Sequence, residues 1–189
     1  RGLGDVYKRQ LQAWYPGQEG GTAVAEVLCG DFNPCGKLPV TFYCDDAQLP
    51  PFDEYRMEGR TYRYLREAPL FPFGHGLSYT TYKYGKPRYA DGIVTVEVRN
   101  TGKVAGTEIV QLYLRRRGDE KGPNKTLRGY ERVTLAPGEK RTVSIPLSDK
   151  LLETWDEESG RMRVQPGRYD VMVGPSSRDN ELKTICVTI

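Results

Sequence analysis

The stretch Gly92–Asn100, GIVTVEVRN, limits the fold more than any other part of the chain. Val94, Val96 and Val98 alternate with Thr95, Glu97 and Arg99, so an extended backbone has one apolar and one polar face. That period fits a half-buried strand and not a helix. The same texture returns in EIVQLYL, TLRGYERVTL, KRTVSIPL, RYDVMVG and KTICVTI. Turn signals punctuate the runs: Asn100-Thr101-Gly102, Ala136-Pro137-Gly138-Glu139 and Gln165-Pro166-Gly167-Arg168. Short strands at this spacing predict an all-β sandwich of about 100 residues. It is expected over residues 86–189, with Trp155 packed in or against its core.

Upstream the texture differs. Leu11–Tyr15 reads as the end of a strand, and Pro16-Gly17 as a turn. A helix is expected to open at Gly20 or Gly21, with Val24, Val27 and Leu28 at i, i+3 and i+4 on one buried face. Glu19 suits the positive end of that helix, and Gly30 suits its C-terminal stop. One βα unit cannot bury both of its faces alone. Residues 11–85 are therefore read as the C-terminal end of a larger α/β domain. Asp31–Pro51 is irregular apart from the apolar run Leu38–Tyr43. From Phe52 to Tyr84 the chain is aromatic, and Pro69, Pro72, Gly74 and Gly76 preclude a long helix. An extended arm with packed rings is the expectation there.

Several function classes fall away. The chain has 189 residues and a formal charge of only +3, which gives no electrostatic footprint for nucleic acid. No apolar run approaches the ~20 residues that span a bilayer. With one histidine (His75) and four cysteines (Cys29, Cys35, Cys44, Cys186) lacking paired C-x-x-C spacing, no zinc site is expected. Two glycine-rich stretches invite a phosphate reading, and both fail it. PGQEGG runs G-x-x-G-G rather than G-x-G-x-x-G. GDFNPCGK has one residue too many between its glycines, and Leu38 stands where Ser or Thr would hold magnesium. The opening RGLGDVYKRQ reads as a translated sequencing adapter. Residues 1–10 are set aside on that ground, and the gene is expected to be cut on its 5′ side.

The motifs also carry a family resemblance. PGQEGGTAVAEVLCGDFNPCGKLPVTF and PLFPFGHGLSYT resemble the late and closing segments of the second domain of glycoside hydrolase family 3 enzymes. VRNTGKVAGTEIVQLYL, LRGYERVTLAPGEKRTVSIPL and PGRYDVMVGPSS resemble the fibronectin type III-like, immunoglobulin-like sandwich that follows it. LPPFDEYRMEGRTYRYL is most similar to members acting as β-xylosidases, with β-glucosidases close behind. His75 departs from the commoner tyrosine, and Cys29 and Cys35 depart from Phe and a small residue. The resemblance implies a retaining, exo-acting parent enzyme that releases xylose or glucose from β-linked oligosaccharides. It implies no metal or cofactor and no nucleic-acid or membrane partner. It is compatible with a homodimeric parent, and it favours a periplasmic or secreted location over the cytoplasm.

Retaining glycosidases need two carboxyl groups about 5–5.5 Å apart. The resemblance places both upstream of Leu11, an Asp nucleophile in the first domain and a Glu acid/base earlier in the second. No residue of this chain matches either. Glu19, Asp45-Asp46, Asp53-Glu54 and Glu157-Glu158 are the carboxylates to test against that expectation. They are read as a helix-opening residue, solvated loop acids and a turn pair. Trp14 and Tyr15 are the candidate substrate-binding residues. At a strand end, where α/β domains bind ligands, their rings would wall a sugar subsite or pack between domains. Arg60, Tyr62 and Arg63 would brace neighbouring domains or pack within the arm, and His75 is read as structural. The alternative class is a non-catalytic carbohydrate-binding or structural sandwich. The Arg115–Lys125 loop, basic and free of aromatics, argues against a flat sugar platform.

Overall fold

The computed structural model describes residues 10–189. The adapter reading of residues 1–10 lies, but for Gln10, outside the described residues. The chain opens on helix α1 (Gly20–Cys29), followed by a one-turn helix α2 (Thr61–Tyr64). Then come β1 (Tyr82–Tyr84), β2 (Arg88–Ala90), β3 (Ile93–Asn100), β4 (Gly106–Arg116), β5 (Thr126–Leu135) and β6 (Lys140–Pro146). A second one-turn helix, α3 (Asp149–Leu152), leads to β7 (Glu153–Asp156), β8 (Arg161–Val164), β9 (Arg168–Gly174) and β10 (Lys183–Thr188).

Two antiparallel sheets face each other. In the first, β3 pairs with β6 along one side, and β2 and β1 lie end to end along the other. The second runs β10-β9-β4-β5. Val94, Val96, Val98, Val143 and Ile145 meet Val110, Leu112, Leu114, Val133, Leu135, Val171 and Val173 in one continuous core. The valine alternation in β3 thus does what its period predicts, because only the inward face escapes water.

Asn100 closes one end of the sandwich. Fully buried, it spends its whole side chain on backbone and hydroxyl partners. Its Oδ1 accepts from Thr80 Oγ1 at 2.6 Å and Gly102 N at 3.0 Å. Its Nδ2 donates to Val104 O at 2.8 Å and Leu135 O at 3.1 Å. A buried amide with all these bonds made fixes three loops at once.

Some expectations need correction. Leu11–Tyr15 forms no strand. A strand needs a neighbour to take its backbone groups, and none lies beside it here. α1 starts and stops as expected, with Gly30 in the left-handed conformation at φ 86°. Yet it buries no residue, and Leu28 is 73% exposed. Val24 and Val27 on its apolar stripe are only half-buried. Trp155 is also outside: it sits on the β7–β8 hairpin, paired with Met162, and is 62% exposed. Leu152, three residues earlier, fills the core position instead.

Candidate functional site

The chain's most worked surface is the seam where the arm lies on the outer face of the β4 sheet. β4 is buried along both faces through its middle, so Gln111 and Tyr113 are as sequestered as Val110 and Leu112. The arm supplies the cover. Residues 38–42 run antiparallel to 71–75, with Phe42 and Phe71 exchanging backbone bonds at 2.9 and 3.3 Å. Leu38 N donates to His75 O at 2.8 Å, and Gly74 N to Leu38 O at 2.7 Å.

Aromatic rings and backbone bonds then join arm to sheet. Tyr62 stacks on Phe73 with centroids 4.4 Å apart and meets Tyr113 edge-on at 5.9 Å. Its hydroxyl accepts from Leu127 N at 3.1 Å. Ser177 N donates to Phe73 O at 2.9 Å, and Asn124 donates through N and Nδ2 to Arg63 O and Leu65 O at 2.6 and 2.9 Å. Gln111 Nε2 reaches Gly74 O at 3.2 Å and Pro175 O at 2.5 Å, while its Oε1 accepts from Tyr113 Oη.

Of the two glycines of FGHG, Gly74 serves this contact and Gly76 serves one within the arm. Gly74 has φ +80°, and a Cβ there would collide with the Gln111 amide. A Cβ on Gly76 would collide with the carbonyl of Gly36. A side chain at either position would force its neighbour to move. His75 between them stacks on Phe71 at 5.2 Å, and burial holds its pKa below the ordinary value. It is a neutral packing ring at neutral pH.

At one end of the seam Lys37 enters the sandwich. β9 departs from β4 after Gly174, so Glu108 loses a neighbouring strand. Lys37 Nζ takes up the place, 3.0 Å from Glu108 Oε1, and Tyr84 Oη donates to the same oxygen at 3.0 Å. Burial nonetheless raises the Glu108 pKa, against the opposing pull of Lys37. Burial also drives the Tyr84 hydroxyl well up.

The sequence candidates lie elsewhere. Trp14 is 51% exposed with φ 52°, and Tyr15 is 99% exposed. Glu19 accepts from Thr22 Oγ1 at 3.1 Å, a local helix-opening bond. Asp45 caps the turn at Asp46–Gln48 by accepting from Ala47 N. Asp53, Glu157 and Glu158 are exposed. Glu54 is drawn down to about 2 by hydrogen bonds from Arg56. The structure brings none of these to the seam. Tyr62 it does bring there, with Arg63 beside it. Gln111, Tyr113, Glu108 and Asn124 were not singled out from sequence, although Gln111 and Glu108 stand as polar residues inside an apolar run. All four cysteines are free thiols. Among the described residues no group of three or more His, Cys, Asp or Glu is placed to hold a metal ion.

Comparison with known proteins fits this geometry. Residues 7–79 match the family model of the glycosyl hydrolase family 3 C-terminal domain, and 108–177 match a fibronectin type III-like domain. The chain carries the C-terminal domain of glycosyl hydrolase family 3 and a fibronectin type III-like domain. It is 51% identical over 185 residues to a xylan 1,4-beta-xylosidase of Xylanibacter ruminicola, covering 95% of this chain and 21% of that protein. It is 40% identical to a periplasmic beta-glucosidase of Salmonella typhimurium, covering 88% of this chain and 24% of the relative. Among solved structures, the Bifidobacterium adolescentis GH3 beta-glucosidase superposes with a TM-score of 0.83 at 30% identity. That match covers 94% of this chain and 29% of the other. The chain thus spans about a fifth to three tenths of the proteins it resembles. In this chain, the seam joins the segment matched by the C-terminal domain to the fibronectin-like sheet.

Proposed function

We propose that this chain serves as the C-terminal architecture of a retaining β-glycosidase that removes terminal β-linked xylose, or the neighbouring substrate glucose, from oligosaccharides. The catalytic Asp and Glu belong to polypeptide upstream of Leu11, and the chain alone does not hydrolyse glycosides. The seam carries this reading. Stacked rings, the Gly74 contact with Gln111 and the Lys37–Glu108 pair weld the family 3 segment onto the sandwich. A loosely tethered binding module has no use for such a weld.

The exposed apolar residues of the first segment support the same reading. Trp14, Tyr15, Leu28, Phe52 and Tyr55 all face outward, which suits a surface that another part of an α/β domain covers. Trp14 and Tyr15 are proposed to meet that domain or the sugar it holds. A periplasmic or secreted location is proposed, in keeping with the periplasmic beta-glucosidase among the relatives. The test is hydrolysis of paired aryl β-xyloside and β-glucoside by a longer reading frame, with this chain assayed beside it. Activity confined to the longer form supports the proposal, and hydrolysis by this chain contradicts it.

A further inference from the structure

A pair of arginines at the seam has no place in the scaffold role. Arg63, on α2, and Arg128, on β5, come from segments that are bonded to each other. The residue before Arg63 bonds to the residue before Arg128, through Tyr62 Oη and Leu127 N at 3.1 Å. Both side chains are partly buried. The Nε of each is fully sequestered with no hydrogen-bond acceptor among the described residues. Neither guanidinium is in an ion pair with any described carboxylate. Arg63 lies 5.5 Å over the Tyr64 ring, and Arg128 makes only a 3.5 Å contact to Glu153 O.

Irregular backbone aims both residues. β4 and β5 slip register between Leu112 and Tyr113, which pair with Gly129 and Leu127, so Arg128 is the extra residue of a bulge. Bulges re-aim a side chain in this way. Thr61, at the start of the turn that carries Arg63, holds φ +56°, unusual for a β-branched residue. Tyr43 Oη and Thr41 Oγ1 hold it there by accepting from Thr61 N and Tyr62 N, each at 3.0 Å. The Arg63 charge acts on Arg128, and two like charges short of acceptors repel each other unless an anion offsets them.

We propose that Arg63 and Arg128 form a carboxylate-binding site at the seam between arm and sandwich. Guanidinium forks match the two oxygens of a carboxylate bidentately. The carboxylate comes either from a free sugar acid or from an acidic side chain of a longer polypeptide. The chemistry is the same for both.

The experiment follows the Nε–H signals of the two arginines by NMR during titration with sodium acetate and sodium glucuronate, with sodium chloride at matched ionic strength and inorganic phosphate as comparison arms. Saturable movement of both signals with carboxylate alone is expected. Because removing an arginine risks the fold, Arg63→Lys and Arg128→Lys are read beside R63Q and R128Q. The lysine variants keep the charge but lose the fork, and should bind about 10-fold more weakly. Loss of the response in a longer reading-frame product assigns the carboxylate to that polypeptide, and its persistence assigns it to a free ligand. Signals that move equally with chloride, do not move, or prefer phosphate overturn the proposal.

Discussion

Gly74 and Gly118 share the same φ of +80°, but only Gly74 has a side chain, Gln111, in the space a Cβ would take. The pair therefore separates strain from collision. Gly118→Ala should cost about 1 kcal/mol, the price of left-handed backbone alone. Gly74→Ala adds overpacking of about 1–3 kcal/mol, and denaturant midpoints of the two variants should differ accordingly. Glu108 gives a pH prediction at the same scale. Burial raises its pKa above the ordinary 4.5. A carboxyl raised on folding contributes stability that is fully present below the unfolded value and is lost as pH climbs through the folded value. Stability should thus decline as pH rises past about 4.5, and Glu108→Gln should flatten that decline in a pH series of unfolding curves.

The arm depends on Tyr62 more than on any other single ring. Tyr62→Phe keeps the stack on Phe73 but strands the Leu127 N–H, costing about 1–3 kcal/mol. Tyr62→Ala loses the stack as well, costing about 3–5 kcal/mol, which thermal unfolding would register. Trp155→Ala, on the exposed hairpin, should change stability by no more than about 0.5 kcal/mol. That contrast marks what sequence can say about elements. The β3 valines and the apolar runs of β4, β5, β6, β9 and β10 were legible, because a period of two has only one use in a buried sheet. The arm's extended course and packed rings were legible from its prolines, glycines and tyrosines. Its landing place was not, since no local pattern says which sheet face Tyr62 will find. Trp155 misled because its bulk suggests a core, while Leu152 was nearer the closing end of the sandwich. The amphipathic stripe of α1 was read correctly as a stripe but not as a buried one, because burial needs a neighbour.

Over the whole molecule the two ends differ in character. The sandwich has a closed core and a buried Asn100 tying its loops. The family 3 segment is anchored on one side and bare on the other, where Leu28, Phe52 and Tyr55 meet water. The candidate site followed the same division. Trp14 and Tyr15 were legible as exposed rings near a helix opening, but what they face lies beyond any contact within this chain. The seam was hidden in sequence because its partners are brought together by folding from positions as distant as Lys37 and Glu108. The most direct test is to recover the longer reading frame and assay it on aryl β-xyloside and β-glucoside beside this chain. Hydrolysis of at least one of the two glycosides by the longer protein is expected, and none by residues 1–189 alone. Glycoside hydrolysis by this chain itself would contradict it and return Glu19 to consideration as a catalytic acid.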